Sequence, residues 1–240
     1  MREDLRPYWL KKSYLNFRRW YAEYFLRPEC ISLGPHHNIM KPWYVHLSGG
    51  SIQIGRCFTA IGEPGNRVEV GVWGREAGAG RVVIGDCCLM SPGSRLSASD
   101  EIVLGDGVML ANGAYITDSD WHMIYDRMTR DGPTPVHIGN NVWLGDHSTV
   151  LKGVTIGDNS VVAARAVVTR DVPANVVVAG SPAKVVKELD PDRGFKTRMD
   201  YFEDPVGLET FFDAVDCEVL KKNGFWSWLW SVLYPPSRLP

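Results

Sequence analysis

Between Ile138 and Val172 an aliphatic residue returns at every sixth position: Ile138, Leu144, Val150, Ile156, Val162 and Val168. Four places after each stands Val142, Ser148, Val154, Ser160, Ala166 or Val172, all small or β-branched. A helix repeats its apolar face about every 3.6 residues and a half-buried strand every two, so a period of six points to a solenoid of short strands. Each strand then supplies one inward aliphatic. Gly139, Gly145 and Gly157, directly after three of these, are expected to take the corners with positive φ. Three such strands close a triangular coil of about eighteen residues.

The frame carries backwards. Ile84, Met90 and Leu96 make one coil and Leu104, Leu110 and Ile116 the next. Two extra residues between Leu96 and Leu104 read as a bulge, and sixteen between Ile116 and Ile138 read as a loop. Farther upstream Ile52, Ile54, Ile61, Val68, Val70 and Val72 are strand-like but out of register, so any earlier coil is expected to be irregular.

The rhythm stops at both ends. Leu5 to Leu26 reads as an amphipathic helix, with Trp9, Tyr14, Phe17 and Tyr21 at helical spacing and Lys11, Lys12, Arg18 and Arg19 between them. Its expected task is to cover the open end of the solenoid. Ser32 to Gly55 is then extended, broken at Pro35, Pro42 and Gly49-Gly50. After Val186, Glu209 to Lys222 reads as a short helix, and Trp226, Trp228 and Trp230 form an aromatic block. Docking of that block on the coil or a neighbouring subunit is expected; a weak membrane-surface contact is the competing reading. The chain divides into a cap over residues 1–50, a solenoid over 51–187 and a helical extension over 188–240.

Composition narrows the partners. A net charge of −2 gives no reason to expect nucleic acid. Five cysteines without a CxxC spacing read as reduced thiols of a cytoplasmic protein. The start, MREDLRPYWLKK, has no apolar segment of a secretory signal, and no apolar run approaches the ~18 residues of a membrane span.

The hexad frame, the string NNVWLGDHSTVLKGVTIGDNSVVAARAVVTRDVPANVVVAGSPAKVV and the looped-out histidine of ITDSDWH together resemble the hexapeptide-repeat acyltransferases, in particular the maltose/galactoside and polysaccharide O-acetyltransferases. The resemblance covers roughly Ile84 to Val186. It implies an all-β solenoid, a left-handed parallel β-helix with N-terminal and C-terminal helical extensions. The hand comes from the resemblance alone, because the general rule for parallel crossovers gives the opposite one. It also implies acetyl-CoA as cosubstrate, a saccharide hydroxyl as acceptor, and a homotrimer with CoA between neighbouring prisms.

Acyl transfer from a thioester to a hydroxyl needs a base, an oxyanion site and a cradle for CoA. His122 lies eighteen residues after Leu104, where the next inward aliphatic would stand, yet inside the loop. A loop on a rigid scaffold is a common place for a catalytic side chain, and the resemblance gives His122 the role of general base. Asp118, Asp120 and Asp126 are close enough in sequence to orient it; Asp118 and Asp120 are the leading candidates. Trp143 precedes an inward position and therefore faces outward, and the resemblance sets it beside the pantetheine arm. Asp146, Ala164, Thr169, Arg170, Lys184 and Lys187 match the remaining cofactor positions, although Asp146 stands where a small hydroxyl residue is usual.

Other readings use the same residues. His137 and His147 could furnish two zinc ligands of a γ-type carbonic anhydrase, but a third at the right spacing is missing, and no metal is expected. N-acetylation of an amino-sugar or other small acceptor, and a non-catalytic β-helix scaffold, are the remaining alternatives.

Overall fold

The computed structural model describes residues 4–74, 79–129 and 132–234. Its centre is a three-sided prism of parallel strands. The first strands of successive coils form one six-stranded sheet, the second strands an eight-stranded sheet, and the third strands another six-stranded sheet. From Ile84 to Val168 every residue of the six-residue frame is at most 3% exposed, so the period of six is the period of burial. The coil is left-handed.

The prism begins earlier than the expected boundary at residue 51, inside the stretch read as a cap. Ser32–Leu33, Asn38–Met40 and Val45–Ser48 are already the three strands of a first coil, with Leu33, Ile39 and Val45 buried at six-residue spacing. Pro35 and Pro42 fall at its corners, where no ladder hydrogen bond is needed. In the next coil Ala60, fully buried, holds the inward position; the more hydrophobic Ile61 beside it faces outward and is only partly covered.

The corners are also made differently from the expectation. Gly139, Gly145 and Gly157 do not have positive φ; the left-handed residue comes two places later, as Asn141, His147 and Asn159. What demands glycine is close approach between coils: a Cβ on Gly145 would stand 2.6 Å from the backbone nitrogen of Ala164. One edge carries a further device. Asp86, Asp106, Asn140 and Asp158 each accept the backbone N–H of the residue at the equivalent place one coil before, at 2.6–2.9 Å. This ladder satisfies N–H groups that the tight corner would otherwise leave unpaired.

Helix α1 (Tyr8–Tyr21) runs on through a wider π-helical turn over Ala22–Leu26. Ala22 and Leu26 are buried with the solenoid core, so this segment caps the first coil. At its end Glu23 meets Arg27, with His37 Nε2 2.8 Å from Glu23 Oε1. The Arg27 guanidinium, helped by His37, brings the Glu23 carboxyl down from 4.5 to about 2. A lowered carboxyl pKa stabilises the fold above the unfolded value and stops doing so as pH falls through the folded one. Glu23→Gln is therefore expected to lower the melting temperature at pH 7, with the deficit closing as pH drops from about 4.5 to about 2. Thermal melts of both proteins across that range check it.

Beyond the last coil, Val176–Gly180 adds to the second sheet and Ala183–Glu188 closes it as an antiparallel edge. The chain then turns back along the prism. In α2 (Arg198–Tyr201) the Arg198 guanidinium donates to the Cys87 carbonyl at 2.7 Å and to Thr59 Oγ1 at 2.9 Å. Helix α3 (Pro205–Leu220) starts at an Asp204 cap, earlier than the charge pattern indicates, because Pro205 fits the first helical turn. It lies on α1 through Lys12–Asp213 and Lys11–Asp216 ion pairs. Helix α4 (Phe225–Leu233) brings Phe225 onto Trp9, ring centroids 6.1 Å apart, and leaves Trp226 and Trp230 exposed. Among the described residues no helix is long and apolar enough to cross a membrane.

Candidate active site

The sixteen-residue insertion leaves the third sheet after Thr117 and returns to the first sheet at Val136. It is clamped at its base. Asp118 is fully buried and accepts the Ser99 and Asp100 N–H groups at 2.7 Å, while its own carbonyl takes the Thr134 N–H at 2.8 Å. Burial pushes the Asp118 carboxyl up, and the N–H groups of the preceding coil pull against that. Asp118→Asn would turn a side-chain N–H₂ toward these donors, and a loss of about 1–3 kcal/mol in unfolding free energy is expected, read as an earlier denaturant midpoint.

His122 is exposed near the start of the loop, and its Nδ1 is 2.7 Å from the Arg127 carbonyl oxygen. A carbonyl only accepts, so Nδ1 carries the proton and the neutral ring keeps its lone pair on Nε2. That is the tautomer a general base needs. The acids proposed to orient it are engaged elsewhere: Asp118 with the backbone of the preceding coil, Asp120 with Lys152 at 2.8 Å, and Asp126 with Thr129 Oγ1 at 2.6 Å. The group that contacts the His122 ring is a main-chain oxygen, which no residue pattern announces.

The cofactor candidates fall into two groups. Trp143 is 48% exposed on the second sheet, and its register neighbours run Met109, Trp143, Val161, Val177, Lys187. Strands ~4.8 Å apart put Lys187 about 14 Å from Trp143 along this row. Lys184 lies on the same edge strand, and Asp146 and Ala164 follow the second-sheet strands at the adjoining corner. Asp146 is paired with His147 Nδ1 at 2.8 Å, and that imidazole holds its carboxyl below the usual range. Thr169 and Arg170 instead follow the third sheet at the corner that bears the His122 loop.

A triangular section sets that corner opposite the second sheet. Within one chain, His122, Thr169 and Arg170 therefore occupy one edge, and Trp143, Asp146, Ala164, Lys184 and Lys187 the opposite face with its corner. The candidate base and the candidate cofactor residues are thus separated within one chain. His137 Nε2 is 2.8 Å from Glu101 Oε1, and among the described residues no three ligating side chains are grouped for a metal.

A prism of hexads with one looped-out histidine defines the class of the protein as a hexapeptide-repeat solenoid. Residues 135–170 match the family described as "Bacterial transferase hexapeptide (six repeats)" and residues 101–118 the "Hexapeptide repeat of succinyl-transferase". Over these two stretches the chain carries the hexapeptide-repeat pattern of that transferase family. It is 44% identical over 87 residues to the galactoside O-acetyltransferase of Escherichia coli strain K12, 35% of this chain and 40% of that one. A putative acetyltransferase of Staphylococcus aureus strain COL is 48% identical over 66 residues, 28% of this chain and 33% of the relative. The chain thus spans well under half the length of these curated relatives. Among solved structures, a galactoside acetyltransferase in complex with coenzyme A superposes with a TM-score of 0.50 at 26% identity, over 82% of this chain and 89% of that one.

Proposed function

We propose that the chain is an acetyl-CoA-dependent O-acetyltransferase acting on a hydroxyl of a sugar or polysaccharide precursor, with His122 as general base. The observation that carries this is the Nδ1 contact to the Arg127 carbonyl, which leaves a basic Nε2 on an exposed loop of a scaffold whose relative was solved with coenzyme A. The opposite face suits the cosubstrate. An apolar row through Met109, Trp143 and Val161 matches a pantetheine arm, and Lys187 and Lys184 at its end match the phosphates.

In the reaction Nε2 takes the proton of the acceptor hydroxyl as its oxygen attacks the acetyl carbonyl carbon. The C–S bond then breaks, and the imidazolium returns the proton to the departing thiolate. The acetyl ester and free CoA are the products, with no other reactant consumed. Because His122 and Trp143 lie on opposite sides of one prism, the complete site forms between copies, and a homotrimer closes three equivalent seams. The free thiols at Cys57, Cys87 and Cys88 accord with action in the cytoplasm.

Incubation of acetyl-CoA with a panel of sugar hydroxyl and amine acceptors, followed by free-thiol release, tests the reading; no acceptor-dependent thiol release refutes it. Replacing both Lys184 and Lys187 by alanine is expected to weaken CoA binding roughly 3–30-fold at low salt and less at high salt. Calorimetric titration at two ionic strengths checks it.

A further inference from the structure

A cavity of about 370 Å³ lies between α1, α3 and the first coil, apart from the residues assigned above. Its volume is that of a small-ligand site. One wall is His37, whose side chain is 6% exposed and whose Nδ1 has no hydrogen-bond partner. Nε2 faces the Glu23 carboxylate at 2.8 Å and must donate to it, so in the neutral ring Nδ1 is a buried acceptor awaiting a donor. A buried acceptor left unpaired is destabilising, which points to an occupant with a hydroxyl or N–H.

The rest of the lining describes that occupant. The charged side chains balance: Lys12, Arg18 and Arg19 against Glu209, Asp213 and Asp216. Most are already engaged, Lys12 with Asp213, Arg19 with Glu209 at 3.5 Å, and Arg18 with Asn38 Oδ1 at 2.8 Å. A charged ligand would have to displace these pairs, and a neutral one would not. Phe212 and Tyr201, each about half exposed, offer aromatic faces, while Asn16 adds an exposed amide. Aromatic rings for apolar ring faces, and an acceptor with amides for hydroxyls, form the chemistry that holds a sugar ring.

We infer that this cavity is a second, non-catalytic site for a neutral saccharide unit. Its purpose rests on the proposed transferase reading. Asn38 heads the row Asn38, Thr59, Leu89, Met109, Trp143 on the second sheet, four strand spacings or about 19 Å from the Trp143 half-site. Several linked sugar rings cover that span, so the cavity can hold an acceptor chain by a unit that is not being acetylated.

The test uses the full-length His122→Ala protein saturated with CoA, so that binding is read without turnover. Maltose, lactose, cellobiose and N,N′-diacetylchitobiose are each titrated and followed by protein NMR shifts and thermal melting. At least one is expected to bind and to perturb α1 and α3 resonances. His37→Phe, and separately Phe212→Ser at a half-exposed position that spares the fold, are each expected to weaken that binding at least fivefold while CoA affinity stays unchanged. Absence of binding by all four sugars, or binding that survives both substitutions and disappears with Trp143→Glu, overturns the inference. Acceptor-dependent thiol release by the His122-intact protein is scored separately, so failure of the second site and failure of the transferase reading give different results.

Discussion

Alanine in place of His122 is expected to lower acetyl transfer by roughly 10²–10⁴-fold, the usual contribution of a positioned general base, with CoA affinity nearly intact. The separation of the two effects follows from the fold. His122 is fixed by the Arg127 carbonyl on a loop at one edge, whereas Trp143, Lys184 and Lys187 belong to the opposite face. Removing the imidazole takes away the proposed proton acceptor without touching the apolar row or the cations. Single-turnover thiol release measured beside CoA titration distinguishes the outcomes. Unchanged turnover removes His122 from the proton path, and a joint loss of turnover and CoA binding shows that the loop collapsed.

The loop is firm enough for this comparison because its anchors lie elsewhere. Asp118 binds the backbone of the preceding coil, Thr134 returns a hydrogen bond to the Asp118 carbonyl, and the Gly153 N–H reaches the Thr134 carbonyl at 3.0 Å. None of these depends on the histidine side chain. Asp118, placed by its sequence neighbourhood as an orienter of the ring, instead secures the loop base on which the ring is carried.

From Ile84 onward the coil was legible in the chain because burial and period coincide: the aliphatic that returns every six residues is buried at each step. The first coil was obscured for the same reason in reverse. Leu33, Ile39 and Val45 keep the spacing, but prolines at the corners and intervals of twenty-one and thirty residues to Ile54 and Ile84 break the run that makes a repeat visible. The corner glycines were legible as small residues and misread as conformational ones. Sequence shows that a side chain is absent; only the distance to the next coil, as at Gly145 and Ala164, shows what that absence makes room for. The candidate side chains could be named from the chain but their placement could not, since the group that contacts the His122 ring is a carbonyl and the proposed cofactor residues lie on a different face.

That division makes the strongest test a mixing experiment. His122→Ala keeps the Trp143 face and lacks the base; Trp143→Glu keeps the base and puts a charge where an apolar arm must lie. Each alone is expected to be nearly inactive. When the two are unfolded together and refolded in equal amounts, the proposed trimer makes three quarters of the assemblies mixed. Every mixed trimer has one seam in three where an intact His122 edge meets an intact Trp143 face, so about one quarter of wild-type activity per site returns. Recovery of that size requires the seam to lie between copies. If the refolded mixture is no more active than the separate variants, base and cofactor face must meet within one chain, and the opposed placement of the two half-sites is not the working arrangement.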